Sequence, residues 1–243
     1  MAKQRIDQWL VERGLFDSRA KARAAVEAGR VSIGDRVVAK PSEAVDEDAD
    51  VRAEAAHPWV GRGALKLAHA LALWPIAADG RIAVDVGAST GGFTEVLLAR
   101  GAARVFAVDV GRDQLHARLR GDPRVVDLSG VDARALDATL VPTAPDLVVS
   151  DVSFISLTKA LPAALALATR GAELVALIKP QFEAGREHVG KGGLVKDPEV
   201  IARVEREIAD WLERSGWTVN GLAESPITGG EGQVERLVWA TKR

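Results

Sequence analysis

Short apolar runs separated by longer amphipathic stretches dominate the chain from residue 81 onward. Five runs have the length and composition of buried parallel strands, at residues 82–86, 105–110, 125–128, 147–150 and 174–178. Helical patterns separate most of them, and a last helix is predicted at residues 204–214. Two closing strands, at 217–223 and 234–241, are near each other in sequence, which predicts an antiparallel pair at the sheet edge. This alternation predicts an α/β fold with a mostly parallel, doubly wound sheet.

The beginning of the chain has a different pattern, which predicts a small separate α+β domain. Apolar residues recur at helical spacing up to Gly14, which ends a first helix. Asp17 or Ser18 can cap a second helix, which Gly29 closes. Two short strands are predicted next, at residues 31–33 and 37–38.

A short segment rich in helix-breaking residues predicts the boundary between two domains. Residues 58–63 contain Pro58 and two glycines, which favour a linker. An amphipathic helix that carries Lys66 is predicted at residues 64–74. We therefore expect an N-terminal domain at 1–57, a linker at 58–63 and a larger domain at 64–243.

The composition is typical of a globular protein without a membrane span, a disulfide or a metal site. Hydrophobic residues make up 47% and charged residues 27% of the 243 residues. No apolar run reaches the roughly 18 residues that span a bilayer, and the charged N-terminus lacks the apolar core of a signal peptide. Cysteine is absent, and the four histidines have no metal-ligand spacing. We therefore expect a cytoplasmic protein.

The charges are unevenly distributed, although the net charge is only −2. Residues 1–40 contain nine Lys and Arg against five Asp and Glu, whereas residues 41–54 contain six acids and one arginine. The first segment therefore has the charge needed to contact RNA phosphates. A basic, glycine-rich loop at 185–193 has the same character. The candidate RNA-binding residues are Arg5, Arg19, Lys21, Arg23, Arg30, Arg62, Arg186 and Lys191.

The segment IAVDVGASTGGFTEVLL predicts a strand, a glycine turn and a helix that together form a cofactor site. Asp109 follows Gly87 at the end of the second predicted strand, where an acid can bind both ribose hydroxyls of a nucleoside. The run GASTGG lacks the G-x-G-x-x-G spacing of a nicotinamide dinucleotide site, and Asp85 suits the positively charged S-adenosylmethionine. We therefore predict S-adenosylmethionine as the cofactor. The candidate contacts are Asp85, Gly87, Ser89, Gly91, Gly92, Phe93, Asp109, Val110, Asp132 and Asp151.

Two charged residues directly follow the apolar runs of the fourth and fifth strands. Asp151 and Lys179 are therefore expected at the ligand-binding edge of the sheet. Together with Lys66 and Glu235, they would suit methyl transfer to a ribose hydroxyl, a weak acid that needs help to lose its proton. Our hypothesis is that Lys179 accepts or steers this proton and Asp151 orients Lys179. Lys66 and Glu235, which taken alone would be ordinary surface charges, complete the network.

Long motifs of this chain resemble a known enzyme family. Residues 5–45 resemble the RNA-binding module of small-subunit ribosomal protein S-four, in which two helices present basic side chains to RNA. The stretches WVGRGALKL, DVGASTGGFTEVLL, SDVSFISL, IKPQFEAGREHVGKGGLVKDP and SPITGGEGQVERL are similar to the TlyA family of ribosomal RNA (cytidine-2′-O)-methyltransferases. That family joins the RNA module to an FtsJ-type methyltransferase domain. The resemblance implies a Rossmann-like, class I S-adenosylmethionine-dependent fold and a catalytic tetrad at Lys66, Asp151, Lys179 and Glu235.

Three segments depart from the usual pattern of the family. Gln233 stands where an asparagine is usual, and VGRDQL follows Asp109 in place of an aromatic-glycine form. The stretch DLSGVDARAL around Asp132 differs from the common ERTNVR-like run, which bears on the predicted adenine contact.

The resemblance also implies a ribosomal substrate. Some members methylate large-subunit RNA only, and others, with extra basic residues at the start and a longer tail, methylate both subunits. The short ends of this chain favour the large-subunit kind. Three other classes stay open: a non-catalytic RNA- or ribosome-binding protein, a small-molecule methyltransferase and a haemolysin-like membrane-active protein.

Overall fold

A computed structural model describes residues 3–229 and 232–243 of the chain. The chain forms two compact units, Met1–Pro58 and Trp59–Arg243. The boundaries expected from the sequence, with a linker at 58–63, remain a prediction. Two residues of the SPITGGEGQ motif, 230 and 231, lie outside the described residues.

The first unit combines two helices with five very short strands. Helices α1 (Ile6–Glu12) and α2 (Arg19–Glu27) form a hairpin, and Ser18 caps α2 by accepting a hydrogen bond from the Lys21 amide at 3.4 Å. The strands are β1 (Gln4–Arg5), β2 (Val31–Ile33), β3 (Arg36–Val37), β4 (Ala44–Val45) and β5 (Val51–Ala53). β2 pairs with β3 and β5, and β1 pairs with β4, all antiparallel. The sequence pattern missed β1, β4 and β5, because two or three residues are too few for a period to show.

One buried carboxylate organises the basic surface of the first unit. Asp7 is fully buried in the first turn of α1, and Arg5 donates to its two oxygens at 3.0 and 2.9 Å. Arg19 donates to the same carboxylate from α2 at 3.1 Å. The hydrogen bond from Arg5 is the main reason why the pKa of Asp7 falls from 3.8 to about 2. Asp7 thus ties α1 to α2 through Arg19 and to the preceding strand β1 through Arg5.

The second unit is built on a seven-stranded, mostly parallel sheet. Its strands are β6 (Ile82–Val86), β7 (Arg104–Asp109), β8 (Val125–Ser129), β9 (Leu147–Ser150), β10 (Glu173–Ile178), β11 (Trp217–Glu224) and β12 (Arg236–Lys242). The spatial order is β11-β12-β10-β9-β6-β7-β8. Strands β6 to β10 are parallel, whereas β12 runs antiparallel to both β10 and β11. The predicted doubly wound sheet with an antiparallel edge is confirmed.

Helices cover both faces of this sheet. They are α3 (Gly63–Leu73), α4 (Gly92–Ala99), α5 (Ala117–Arg120), α6 (Leu157–Ala160), α7 (Pro162–Leu167), α8 (Pro180–Glu183) and α9 (Pro198–Arg214), with short 3-10 turns at Ala133–Ala135 and Arg186–His188. Alternate strand residues divide between two cores: Ala83 and Val105 pack with α3 and α4, whereas Val84 and Phe106 pack with α7 and α9. This alternation is what a parallel sheet buried on both faces requires.

Helix α9 begins six residues earlier than the sequence pattern predicted. Asp197 caps it by accepting from the Glu199 amide at 2.9 Å, and Pro198 occupies the first helical position. Its buried side chains, Val200, Val204, Ile208 and Leu212, follow one another at four-residue intervals. The Asp-Pro pair was the start signal that the predicted range omitted.

Replacing Asp7 is expected to loosen the helical hairpin of the first unit. Because its pKa is lowered, Asp7 stabilises the fold above pH 4, and this contribution is lost as the pH falls through about 2. We expect Asp7→Asn to lower the free energy of opening, measured by hydrogen exchange in residues 6–27, by about 1 kcal/mol at pH 7. The effect is no larger because both arginines are roughly half exposed and water screens their charges. The matched change Glu27→Gln affects an exposed pair and should cost less than about 0.5 kcal/mol. Equal protection in both variants would contradict this role.

Candidate active site

Three strand ends and one helix bring the four predicted catalytic residues to one edge of the sheet. Asp151 follows β9 and Lys179 follows β10, which are parallel neighbours. β12 runs the other way, and its register pairs Arg236 with Ile178. Glu235, just before β12, therefore meets Lys179, just after β10, at the same edge. Lys66 reaches this edge from the first turn of α3.

The four side chains form one chain of alternating charge. Lys66 Nζ lies 2.6 Å from Glu235 Oε2 and 3.0 Å from Asp151 Oδ2. Lys179 Nζ lies 2.7 Å from Asp151 Oδ1 and donates to Ser153 Oγ at 2.8 Å. Asp151 is thus shared by both lysines: Lys179 lies nearest its Oδ1, and Lys66 lies nearest its Oδ2 with a longer contact of 3.3 Å to Oδ1.

This network is largely shielded from water. The exposed fractions of the Glu235, Lys66 and Lys179 side chains are 2, 7 and 8%, and that of Asp151 is 16%. Buried charges are tolerated only when they are paired, and removing one partner typically costs about 3–5 kcal/mol. The contact of Lys66 with Glu235 is an ion pair without hydrogen-bond alignment, since Glu235 Oε2 has no hydrogen-bond partner among the described residues.

Asp151 also stands between two cavities. A cavity of about 590 Å³, here called the cofactor cavity, is lined by the glycine turn after β6, by the ends of β7 and β9 and by Val131 to Arg134. A second cavity of about 380 Å³, here called the substrate cavity, is lined by residues that include Arg62, Lys66, Lys179, Gln181, Phe182 and Glu235. Asp151, Ser153 and Phe154 line both. A reaction between one molecule in each cavity would therefore take place beside Asp151.

The carboxylate of Asp109 links two loops beside the cofactor cavity by accepting a backbone hydrogen bond from each. Its Oδ2 accepts from the Ser89 amide at 2.8 Å, and its Oδ1 accepts from the Gly111 amide at 2.7 Å. Ser89 has φ +47° in this turn. Gly87 has φ +86°, and a Cβ there would lie 3.1 Å from Val152 Cα. The glycine is needed for this close approach of two strand ends, as well as for the turn.

Asp85 lies fully buried near the end of β6. Thr94 donates to its Oδ2 at 2.7 Å, whereas its Oδ1 has no hydrogen-bond partner among the described residues. Burial raises the pKa of Asp85 to about 7, and the nearby charges of Asp151 and Asp109 add to the rise. Asp85 is therefore largely protonated only below pH 7, and it is not among the residues that line the cofactor cavity.

The other predicted cofactor residues take three kinds of position. Val110 and Asp132 line the cofactor cavity, and Asp132 accepts from Arg134 at 2.5 Å in an exposed pair. Gly92 and Phe93 line a smaller neighbouring cavity of about 230 Å³ with Gly61 to Gly63. Gly91 precedes α4 as its N-cap with φ +93°, and a Cβ there would lie 2.3 Å from Leu119 Cδ1, so its place is explained by backbone conformation and packing.

All five predicted RNA-binding residues of the first unit have acidic partners. Lys21 pairs with Asp17, Arg23 with Glu27 and Arg30 with Glu54, whereas Arg5 and Arg19 share the single carboxylate of Asp7. In the second unit, Arg62 donates to the Thr228 carbonyl at 2.9 Å, and Arg186 and Lys191 lie exposed in the loop after α8.

Among the cavity-lining residues that were absent from the prediction, four lie beside the charged network: Ser153, Phe154, Gln181 and Phe182. Ser153 bonds Lys179, and Phe154 is 90% exposed with φ +66°, an uncommon conformation for a bulky residue. All four lie within three residues of Asp151 or Lys179. The conformation of Phe154 depends on tertiary structure and leaves no sign in the apolar pattern.

Two family models match the chain. The FtsJ-like methyltransferase model matches residues 59–242, and the S4 domain model matches residues 4–51. Each match lies within one of the two compact units.

Named relatives match along almost the whole chain. The 16S/23S rRNA (cytidine-2′-O)-methyltransferase TlyA of Mycobacterium tuberculosis is 46% identical over 239 residues, covering 98% of this chain and 89% of that protein. Hemolysin A of Brachyspira hyodysenteriae is 36% identical over 235 residues, covering 96 and 98%. A solved structure from Streptococcus thermophilus, described as a presumed hemolysin, is 39% identical with a TM-score of 0.78, covering 100 and 89%.

The described residues contain neither a candidate membrane span nor a candidate metal site. In residues 3–229 and 232–243, no helix is long and apolar enough to cross a membrane. In the same part of the chain, no group of three or more His, Asp or Glu side chains is placed to hold a metal ion.

The buried Asp85 is expected to make stability depend on pH. Because its folded pKa is about 7 and its unfolded pKa 3.8, the stabilising contribution is complete below pH 4 and is lost as the pH rises through 7. Asp85→Asn should therefore flatten the curve of unfolding free energy against pH between pH 4 and 8. The substitution removes a loss of roughly 2–4 kcal/mol in this free energy over that range. Urea unfolding without cofactor measures this, with exposed Asp210→Asn as the control. A curve of unchanged slope for Asp85→Asn would contradict the assignment.

Proposed function

We propose, since the chain belongs to the TlyA family of FtsJ-like methyltransferases, that it transfers a methyl group from S-adenosylmethionine to the ribose 2′-hydroxyl of a cytidine in ribosomal RNA. The observation that carries this proposal is the buried chain of Glu235, Lys66, Asp151 and Lys179 between the cofactor and substrate cavities. The family and the fold make the chain an S-adenosylmethionine-dependent methyltransferase, and the assignment of residues is our inference.

The cofactor cavity suits S-adenosylmethionine in size and in charge. Its volume of about 590 Å³ falls in the range of small-molecule sites. Asp109, at the end of β7, is placed for the ribose hydroxyls, and Asp151 supplies negative charge at the side facing the substrate cavity. Val110 and Val131 offer apolar surface for an adenine ring. When bound, the cofactor supplies an electrophilic methyl group on a sulfonium.

The residues of the network have distinct tasks in this mechanism. Lys179 accepts or steers the proton of the 2′-hydroxyl when the methyl group of a bound cofactor would pass from its sulfur to this oxygen. Asp151 fixes the position of Lys179 by an ion pair at 2.7 Å. Lys66 holds the other oxygen of Asp151, and Glu235 balances the charge of Lys66. The hydroxyl is thus presented in a fixed, dry geometry, which supplies much of the rate enhancement.

Ribosomal RNA as substrate is supported by the first unit and by the relatives. The S4 match covers strand β1, which carries Arg5, and helix α2, which carries Arg19. The relatives differ in the RNA for which they are named: the Mycobacterium tuberculosis protein is named for 16S and 23S RNA, and a Campylobacter jejuni protein, 34% identical over 185 residues, for 23S RNA alone. Large-subunit RNA remains our prediction for this chain.

Transfer of labelled methyl to purified large subunits, small subunits and naked rRNA, all unmodified, tests the proposed function. We expect label on large subunits, mapped to a cytidine 2′-oxygen. Label on both subunits would contradict only the restriction to the large subunit. Absence of label on every substrate, with cofactor bound, would favour a non-catalytic RNA-binding protein.

Replacing Lys179 is expected to impair chemistry and to spare cofactor binding. Lys179 lines the substrate cavity but is not among the residues lining the cofactor cavity. Lys179→Ala should lower the single-turnover rate by roughly 10²–10⁴-fold, the usual contribution of a proton-transferring group. The affinity for S-adenosylmethionine should change by less than about threefold, which corresponds to about 0.7 kcal/mol of binding free energy. Exposed Lys196→Ala is the control, and near-normal turnover of Lys179→Ala would disprove the role.

A further inference from the structure

Ser153 lies where three cavities meet. It follows Asp151 by two residues and lines the cofactor cavity, the substrate cavity and the neighbouring cavity of about 230 Å³. Asp151 is the member of the charged network that lines the same three cavities. The proposed mechanism gives a task to each of the four charged residues but none to Ser153, although the Ser153 hydroxyl contacts this network.

The contact is made to Lys179, whose side-chain nitrogen has two close partners. Lys179 Nζ lies 2.7 Å from Asp151 Oδ1 and donates to Ser153 Oγ at 2.8 Å. The carbonyl oxygen of Asp151, at 3.5 Å, is at the limit of a hydrogen bond. Only 8% of the Lys179 side chain is exposed, so water has little access to the same nitrogen. Ser153 is therefore a close neutral acceptor in a place that water does not readily fill.

The geometry of an amine nitrogen gives these two partners a chemical consequence. Besides its bond to Cε, the nitrogen has three tetrahedral directions. In the neutral amine, two of them carry N–H groups, and the third carries the lone pair that can take a proton. When Asp151 and Ser153 accept the two N–H groups, the lone pair is left in the third direction. Lys179 lines the substrate cavity, so this direction can meet a hydroxyl bound there.

Asp151 alone would not fix the lone pair. With one acceptor, the amine can rotate about its Cε–Nζ bond while it keeps a single N–H group on the carboxylate. The lone pair could then turn away from the substrate cavity. A second acceptor at a different angle stops this rotation, and Ser153 is in the position to supply it.

We infer that Ser153 is a positioning residue that aims the lone pair of Lys179 at the ribose 2′-hydroxyl. The proton passes from the 2′-oxygen to Nζ, and the electron pair of the broken O–H bond stays on the oxygen for its bond to the methyl carbon. The ammonium that results keeps Asp151 and Ser153 as its acceptors. This inference rests on the proposed function and deepens it, because it specifies how Lys179 acts as the base.

Two substitutions test the hydroxyl of Ser153 on the subunit that accepts methyl groups. Ser153→Ala removes the acceptor, and it should lower the single-turnover rate at saturating substrate about tenfold, the effect of losing one hydrogen bond to a charged group. The affinity for S-adenosylmethionine and the KM for the subunit should change by less than about twofold. Ser153→Thr keeps the hydroxyl and should stay within about threefold of the unsubstituted rate. Exposed Ser215→Ala, just after α9, is the control that should leave the rate unchanged.

The pH dependence of the rate distinguishes positioning from a general loss of structure. A hydrogen bond to Ser153 favours the protonated form of Lys179, so Lys179 should give up its proton at a lower pH when this bond is absent. The rising limb of rate against pH should therefore move to lower pH by about half a unit in Ser153→Ala and stay in place in Ser153→Thr. An equal fold loss at every pH, or a Ser153→Thr variant as slow as Ser153→Ala, would overturn the inference.

The mobility of the Lys179 side chain tests the contact without methyl transfer. In the protein with S-adenosylmethionine bound, ¹³C relaxation of the Lys179 Cε signal reports how firmly the amine is held. This signal is identified by its absence from Lys179→Arg. We expect greater mobility in Ser153→Ala and unchanged mobility in Ser153→Thr. Equal mobility in Ser153→Ala and the unsubstituted protein would overturn the inference, whether or not the chain methylates RNA.

Failure of the proposed function gives a different result. If the unsubstituted chain transfers no methyl group to any particle, the proposed function fails, and the aim of Lys179 at a 2′-hydroxyl fails with it. If the unsubstituted chain methylates a mapped ribose and Ser153→Ala does so at the same rate, the inference alone is overturned.

Discussion

The pairing of both lysines with the single carboxylate of Asp151 is the interaction on which the site depends. Lys66 and Lys179 lie 3.0 and 2.7 Å from its two oxygens, and each lysine is almost fully shielded from water. Two buried ammonium groups this close would repel each other strongly without the shared carboxylate. Glu235 adds a second carboxylate, so that two negative charges balance the two lysines. The site can therefore keep its lysines dry, and a dry site strengthens every electrostatic interaction with a substrate.

The topology of the sheet is what makes this pairing possible. Parallel strands β9 and β10 deliver Asp151 and Lys179 to one edge, as their carboxyl ends must. The antiparallel β12 enters beside β10 from that same edge and so delivers Glu235 at its start. Had β12 run parallel, Glu235 would stand at the opposite edge. The one reversed strand of the sheet is thus part of the active-site architecture.

Physical pattern alone predicted some parts of this arrangement and could not predict others. Asp151 and Lys179 follow directly on apolar runs, so the period of the strands places them. Lys66 and Glu235 have ordinary surroundings in sequence, and only the resemblance to a family assigned them. The proton on Asp85 and the capture of Arg5 and Arg19 by Asp7 arise from three-dimensional burial and contact. The short strands of the first unit have too few residues to show a period. The strained Phe154 has no signature in composition.

The central claim is that the four charges act as one catalytic unit. A double-mutant cycle with Lys66→Met and Glu235→Gln tests it most directly. These two residues belong to the network, but neither is assigned the proton transfer itself. The account predicts that the double variant loses about as much in single-turnover rate as the worse single variant, with cofactor affinity retained, as for groups that work as a unit. Losses that multiply would show that Lys66 and Glu235 act independently, and would contradict the account.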